Sequence, residues 1–261
     1  MTTESILLIG RDRRNAHEVF ETHASRLARR VRVDSVEIAT YGSEPIRELR
    51  ERFRRHSADT VYAVPMCAAH THDTIDAVPS ALSYISGETH YCEPIGRSPA
   101  ITELIEEKGS SLVPAAEDTA LVLVSFGSSS KPYHREATDY HAVRLREQSS
   151  YGEVLTCYLL QNPTVECVRY NVTKRRAVAV PLFVTRSEAT EDRIPDELEL
   201  ARGGIEYADP FGKDPRITDA IHAEIEKQRA LAFDETPVSS FERRLTSMRR
   251  PVATDGEGTP P

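Results

Sequence analysis

Residues 64–79 read VPMCAAHTHDTIDAVP, and residues 180–195 read VPLFVTRSEATEDRIP. The two run in register without a gap: Pro65 and Pro181, Asp76 and Asp192, and Pro79 and Pro195 each lie 116 residues apart. The same offset carries YCEPIGRSPAIT (91–102) onto YADPFGKDPRIT (207–218), with Pro94/Pro210, Gly96/Gly212, Pro99/Pro215, Ile101/Ile217 and Thr102/Thr218 identical. One offset held over such a span indicates an internal duplication, and a repeat has to be settled before the fold is argued. In this register His72 is the counterpart of Glu188, and His70 that of Arg186.

Each half alternates short apolar runs with amphipathic stretches. SILLIG (5–10), VRVDSVEIAT, DTVYAVPM and THYCEPI read as strands. Between them, 14–30 carries Val19, Phe20, Ala24, Leu27 and Ala28 at helical spacing, and EPIRELRERFRRH places Ile46, Leu49 and Phe53 on one face. SPAITELIEEKG reads as a helix for which Ser98 is the expected cap. After KGSSLVPAAED (108–118), with the Gly, Ser and Pro of a connector, the order repeats: ALVLVSF, a helix over 133–148, GEVLTCYLL, a helix from Pro163, RAVAVPLFV, a short helix from Pro195, GIEYADPF and a long helix from Pro215. Continuous apolar strands alternating with helices predict parallel sheets covered on both faces. The fold expected is α/β, two tandem flavodoxin-like lobes with parallel four-stranded sheets. Lobe 1 spans 1–108, a linker 109–119, lobe 2 120–233, and a polar, Gly/Pro-rich, disordered tail 234–261.

A net charge of −8 and a pI near 5.7 argue against nucleic acid as the main ligand, because phosphate binding wants a basic surface. No apolar run reaches the ~18 residues of a membrane span, and no secretory segment opens the chain. A soluble cytoplasmic protein is expected, with homo-oligomerisation left open. The four cysteines form no C-x-x-C pair, and reduced thiols are expected. Cys157 and Cys167 match no usual iron–sulfur spacing.

Ligands of open parallel sheets sit beyond the carboxyl ends of the strands. That brings forward GRDRRN after the first strand, CAAHTHD after the third, and their counterparts SFGSSSK and FVTRSEATED. His70 and His72 are candidate metal ligands, since imidazole suits divalent Co, Fe, Ni and Zn; two solvated loop histidines are the alternative. In an extended loop they would point to opposite sides. Glu188 supplies a carboxylate at the equivalent of His72. Asp76 and Asp192, each ahead of a helix with proline, read as N-caps. Arg11, Arg13 and Arg14 could pair with a polycarboxylate, or could be a solvated helix start. Ser128 and Lys131, in a turn with Gly127, could hold an anion at a helix N-terminus. His134 and His141, seven apart on one helix, read as partly buried surface histidines.

Taken together, these segments resemble the small class II chelatases of the sirohydrochlorin cobaltochelatase and ferrochelatase type (CbiX/SirB-like). The likeness rests on LLIG followed by a loop, CYLLQNPTVE, VPM and VPLFV, a His ahead of Asp-x-Val-Pro, and EPIGRSPAITELI, and covers about 5–108 and 120–230. It implies two chelatase lobes either side of a tetrapyrrole cleft, and insertion of Co²⁺ or Fe²⁺ into sirohydrochlorin in cobalamin or siroheme biosynthesis, with Ni²⁺ or Zn²⁺ as further candidates. The family's site has one histidine after the first strand and another after the third, to hold metal and accept pyrrole protons. Here the first position reads Arg11 in one repeat and Phe126 in the other; the second aligns with His72 and is Glu188 in lobe 2. The resemblance therefore implies His72 and Glu188 as catalytic, His72 assisted by His70 as metal ligands, and Arg11, Arg13, Arg14, Ser128 and Lys131 toward the substrate. It leaves open a catalytically degenerate homologue that binds metal or tetrapyrrole, or that supports an active partner.

Overall fold

The computed structural model describes residues 2–233; the tail expected from 234 onward lies outside them. Lobe 1 contains β1 (Glu4–Arg11), α1 (Ala16–Arg30), β2 (Ser35–Tyr41), α2 (Pro45–Phe53), β3 (Thr60–Pro65), α3 (Val78–Leu82), β4 (Glu88–Tyr91) and α4 (Pro99–Leu112). Lobe 2 repeats this with β5 (Thr119–Ser125), α5 (Tyr133–Gln148), β6 (Glu153–Tyr158), α6 (Val168–Asn171), β7 (Arg176–Pro181), α7 (Ile194–Glu197), β8 (Ile205–Tyr207) and α8 (Pro215–Phe233). The sheets are ordered β2-β1-β3-β4 and β6-β5-β7-β8, every neighbouring pair parallel. No helix among the described residues is long and apolar enough to cross a membrane.

The alternation of side chains along the strands divides the interior into three cores. Leu7, Ile9, Val61 and Ala63 face a private core with α2 and α3, and Ala120, Val122, Ala177 and Ala179 face the matching core of lobe 2. The other faces, with Ile6, Leu8, Leu121, Leu123, Val178 and Val180, enter one core shared by both lobes. That core is filled by α1, α4, α5 and α8, and the last helix of each repeat crosses over: α4 packs on β7 and α5, and α8 on β3 and α1.

The crossover explains a departure from the expected linker. The helix does not stop at the glycine of KGSS but runs through Gly109 to Leu112. A mid-helix glycine costs about 1 kcal/mol relative to alanine. At Gly109 the missing side chain makes room for the other lobe: a Cβ there would lie 2.6 Å from the Tyr151 hydroxyl and 3.1 Å from Leu121.

The lobes are tied by a duplicated polar contact. His141 of α5 lies between the Thr102 hydroxyl (2.8 Å at Nδ1) and the Gly96 carbonyl at Nε2. His23 of α1 lies between Thr218 (2.8 Å) and the Gly212 carbonyl (3.0 Å). Thr102/Thr218 and Gly96/Gly212 are repeat equivalents, so one bond set is used twice across the pseudo-twofold. A carbonyl only accepts, so Nε2–H donates to it and Nδ1 takes the threonine proton. Neither histidine is the partly exposed side chain expected for His141: both are fully buried. Truncating His141 to alanine strands a buried carbonyl and hydroxyl, and is expected to cost about 2–3 kcal/mol in urea unfolding. An unchanged midpoint would show that the contact is not used to join the lobes.

Candidate functional site

A cleft of about 540 Å³ opens where the carboxyl ends of β1, β3, β5 and β7 meet between the lobes. Lobe 1 contributes Arg11, Arg13, Tyr41 and His72, and lobe 2 contributes Phe126, His134, Phe183, Glu188 and Arg193.

His72 and Glu188 reach the cleft by the same local device. Each immediately precedes a single wide turn of π-helix, Asp73–Ala77 in one lobe and Ala189–Arg193 in the other, again 116 apart. Such turns are rare and often mark functional sites. The turns are held from within. Thr71 N–H donates to the Thr74 hydroxyl (2.8 Å) and Ser187 N–H to that of Thr190 (2.9 Å). The hydroxyls of Tyr91 and Tyr207 brace the carbonyls of Thr74 and Thr190 at 2.8 and 3.1 Å. Asp76 and Asp192 are therefore not the N-caps expected of them: they lie inside the π-turns, and threonine does the local bonding. Ser98 does occupy the N-cap position of α4, but its side chain makes no capping bond.

The loop separates the two histidines. His72 already has helical dihedrals (φ −53°, ψ −46°), so the extended loop expected here ends before it. The His72 side chain is 82% exposed, with Nε2 3.5 Å from the Asp76 carboxylate. His70 is buried and does not line the cleft. It bonds Thr74 (3.2 Å) and Glu93 (3.3 Å), packs edge-on against Tyr133 of lobe 2, and borders a second cavity of about 480 Å³. Its counterpart Arg186 pairs with Asp209, the equivalent of Glu93, at 2.7 Å. The position thus carries a partner for an acidic residue in both lobes. The joint metal site expected of His70 and His72 is not what this loop builds.

Of the residues considered for the substrate, Arg11 and Arg13 line the cleft, and Arg14, Ser128 and Lys131 do not. The SFGSSSK turn folds on itself: Lys131 N–H donates to the Ser128 hydroxyl (3.1 Å), and Ser128 N–H to the Gln161 side chain (2.9 Å). Arg11 is engaged by Asp73, with Nε at 2.7 Å, and lies 6.0 Å above the Tyr41 ring. Among the described residues no carboxylate comes within ion-pair distance of Arg13, which is exposed.

Sequence reasoning took His134 for a partly buried surface histidine; it is a buried residue of the cleft wall. It sits in the first turn of α5, is 8% exposed, and has Nδ1 3.3 Å from the Ser125 hydroxyl at the end of β5. Burial, with a smaller contribution from nearby His70, lowers its pKa to about 4 and keeps the ring neutral. The cue in the sequence was its place nine residues after Ser125, at the start of the helix that follows the strand. Cys67, also on the cleft wall, is held as a thiol by burial, its pKa raised to about 12. Cys157 is buried and Cys167 exposed.

The CbiX family profile matches residues 5–111 and, a second time, 120–228. The chain belongs to the CbiX family. A probable sirohydrochlorin cobaltochelatase from Halobacterium salinarum is 26% identical to this CbiX-family chain over 203 residues, covering 67% of this chain and 69% of that protein. Among solved structures, SirB from Bacillus subtilis with Fe³⁺ superposes with a TM-score of 0.72 at 19% identity, covering 90% of this chain and 98% of SirB. The sirohydrochlorin chelatase SirB from Bacillus subtilis subspecies spizizenii in complex with cobalt gives 0.69 at 18% identity, over 87% and 95% of the two chains. A multi-domain Deinococcus radiodurans protein with structural similarity to chelatases gives 0.69 at 19% identity. This chain covers 86% of its own length in that match and spans 55% of the Deinococcus protein. At these identities the structural likeness is one of fold. The two CbiX repeats account for both sheets, and the cleft is the seam between them.

Proposed function

We propose that this protein is a metal chelatase that binds a sirohydrochlorin-type tetrapyrrole between its lobes and inserts Co²⁺ or Fe²⁺ into it. The observation that carries the reading is the single cleft that takes His72 from one repeat and Glu188 from the other, at equivalent π-turns. The family and the cobaltochelatase relative support it. Insertion replaces two pyrrole N–H protons by a dication. It needs a donor to strip and present the metal and a base to take protons. An imidazole and a carboxylate on facing walls meet that need: His72 takes the metal, which is the substrate, and Glu188 accepts one pyrrole proton while the other passes to solvent water. Arg13 holds an acidic side chain of the macrocycle.

Sirohydrochlorin and Co²⁺ or Fe²⁺, incubated with the purified chain and followed by absorbance, test this. Accelerated conversion, lost in His72→Ala and reduced in Glu188→Gln, is the expected result. Conversion no faster than without protein would end the chelatase reading. A charge-assisted contact is worth about 1.5–3 kcal/mol, so Arg13→Ala should weaken sirohydrochlorin binding roughly ten-fold or more. Arg11→Ala should do less, because that guanidinium is already engaged by Asp73. Equal affinities for wild type and Arg13→Ala would remove Arg13 from the site.

One observation favours a second reading, a homologue that binds the tetrapyrrole without metallating it. Among the described residues no three His, Cys, Asp or Glu side chains gather as a metal site. Tight sirohydrochlorin binding without conversion would select this reading.

A further inference from the structure

Three buried histidines lie on the equivalent helices α1 and α5, and their bonding differs in one respect. His23 and His141 have both ring nitrogens partnered, as a histidine that only fills a core must. His134 has one. Its Nδ1 faces Ser125, while its Nε2 makes no hydrogen bond among the described residues, and the residue forms part of the cleft wall. By the 118-residue spacing that equates His23 with His141, the position in lobe 1 is Ala16, fully buried and without a donor. The imidazole is thus peculiar to lobe 2, and the residue that carries this unpartnered nitrogen lines the cavity that also receives His72 and Glu188.

We propose that His134 is a metal-binding side chain of this cleft, its Nε2 taking a borderline-soft divalent cation of the Co²⁺ type. Three features suit it to that role. A metal-ligating imidazole is normally held through its other nitrogen, and Ser125 supplies that hold. The ring is packed against apolar surface: Phe126 is 6.0 Å away between centroids, and Phe126 in turn packs edge-on against Phe183 at 6.5 Å. Such surroundings disfavour the imidazolium, so the lone pair is available to a cation. Nitrogen ligands also discriminate, favouring Co²⁺, Ni²⁺ and Zn²⁺ over Mg²⁺ and Ca²⁺. The cleft would then present nitrogen from both lobes, His72 exposed at one wall and His134 recessed in the other, with Glu188 lining the same cleft.

The proposal rests on the reading of this cleft as a metal-handling site, but it can be tested without tetrapyrrole. Cobalt chloride is titrated into the full chain labelled with ¹⁵N-histidine, following ring signals by NMR and cobalt bands by absorbance. Co²⁺ is expected to shift or broaden the His134 ring signals while those of His23 and His141 stay sharper. His134→Ala and His134→Gln should each weaken Co²⁺ binding ten-fold or more, and Mg²⁺ should give neither effect. His134 signals untouched when cobalt binding saturates, or variants that bind Co²⁺ like wild type, would overturn it. Should the variants fail to fold, the wild-type ring signals decide alone. Cobalt at His134 without sirohydrochlorin conversion would sustain this site and sink the chelatase reading; conversion with His134 silent would do the reverse.

Discussion

Replacing Gly96 with alanine is expected to destabilise the protein by about 4 kcal/mol or more, at the upper end of what one substitution does. A Cβ on Gly96 would lie 1.8 Å from the carbonyl oxygen of Ala68, and 2.6 and 2.8 Å from its carbonyl carbon and Cα. All three are backbone atoms, so no side chain can turn aside. They belong to the loop that carries His70 and His72. The same glycine presents its carbonyl to His141 of the other lobe. Relief therefore means moving the histidine loop, the lobe contact or both. The repeat makes a control available. Gly212 is the sequence equivalent, yet the nearest atom to a Cβ there is 3.7 Å away, and its φ is +62°. One glycine is needed for close approach, its twin for a left-handed backbone. Gly212→Ala should cost about 1 kcal/mol, the ordinary penalty of that conformation. Thermal and urea unfolding of the two variants separate the cases, with ¹⁵N spectra reporting the loop. A Gly96→Ala protein as stable as Gly212→Ala would mean that the 68–72 loop yields freely.

What the sequence made legible follows the range of the interactions involved. The 116-residue offset, the strand runs and α5 at 133–148 were readable because burial on both faces of a parallel sheet leaves continuous apolar segments. The crossing of α4 and α8 was not. An amphipathic helix shows the same stripe whichever sheet it covers, and Gly109, read locally, is a helix breaker rather than a contact with Tyr151. At the site, strand-end logic brought out Arg11, Arg13, His72 and Glu188, all of which line the cleft. It failed for Ser128 and Lys131, because a Gly/Ser turn that bonds to itself and to Gln161 has the same composition as one that binds an anion. It failed for Asp76 because a π-turn moves the helix start four residues upstream of the proline pattern. His134 and His141 sit seven residues apart on one helical face, yet one ends at the cleft and the other inside the lobe contact. That difference depends on what the other lobe places opposite each, which no local pattern encodes.

The lobe contact should make stability fall steeply in mild acid. Burial lowers the pKa of His141 to about 4; the Gly96 carbonyl opposes that and Arg144 reinforces it. Burial also lowers His23, with the Gly212 carbonyl opposing, Arg26 reinforcing and Asp214 opposing. Both are neutral when folded, whereas an unfolded chain takes up the proton near 6.5. As pH drops below 6.5, the unfolded state binds protons that the native state refuses, and the equilibrium moves toward unfolding. The contribution is intact above about 6.5, declines between 6.5 and 4, and is flat below 4 once native His141 is protonated as well. For His141 that gap, at about 1.4 kcal/mol per pH unit, amounts to about 3 kcal/mol. His23 adds in the same direction, as does His134, also lowered to about 4. Carboxylates held low by their partners, such as Asp214 beside Arg216, lose their contribution only in stronger acid. The interval from 6.5 to 4.5 therefore isolates the histidines. Urea unfolding at half-unit steps across it should show a decline of more than one proton per molecule in wild type, and about one proton less in His141→Gln. Comparing slopes rather than absolute stabilities removes the cost of the substitution itself. A wild-type stability flat across this interval, or an unaltered slope in His141→Gln, would mean that water reaches the ring and that the lobes are not sealed at this contact.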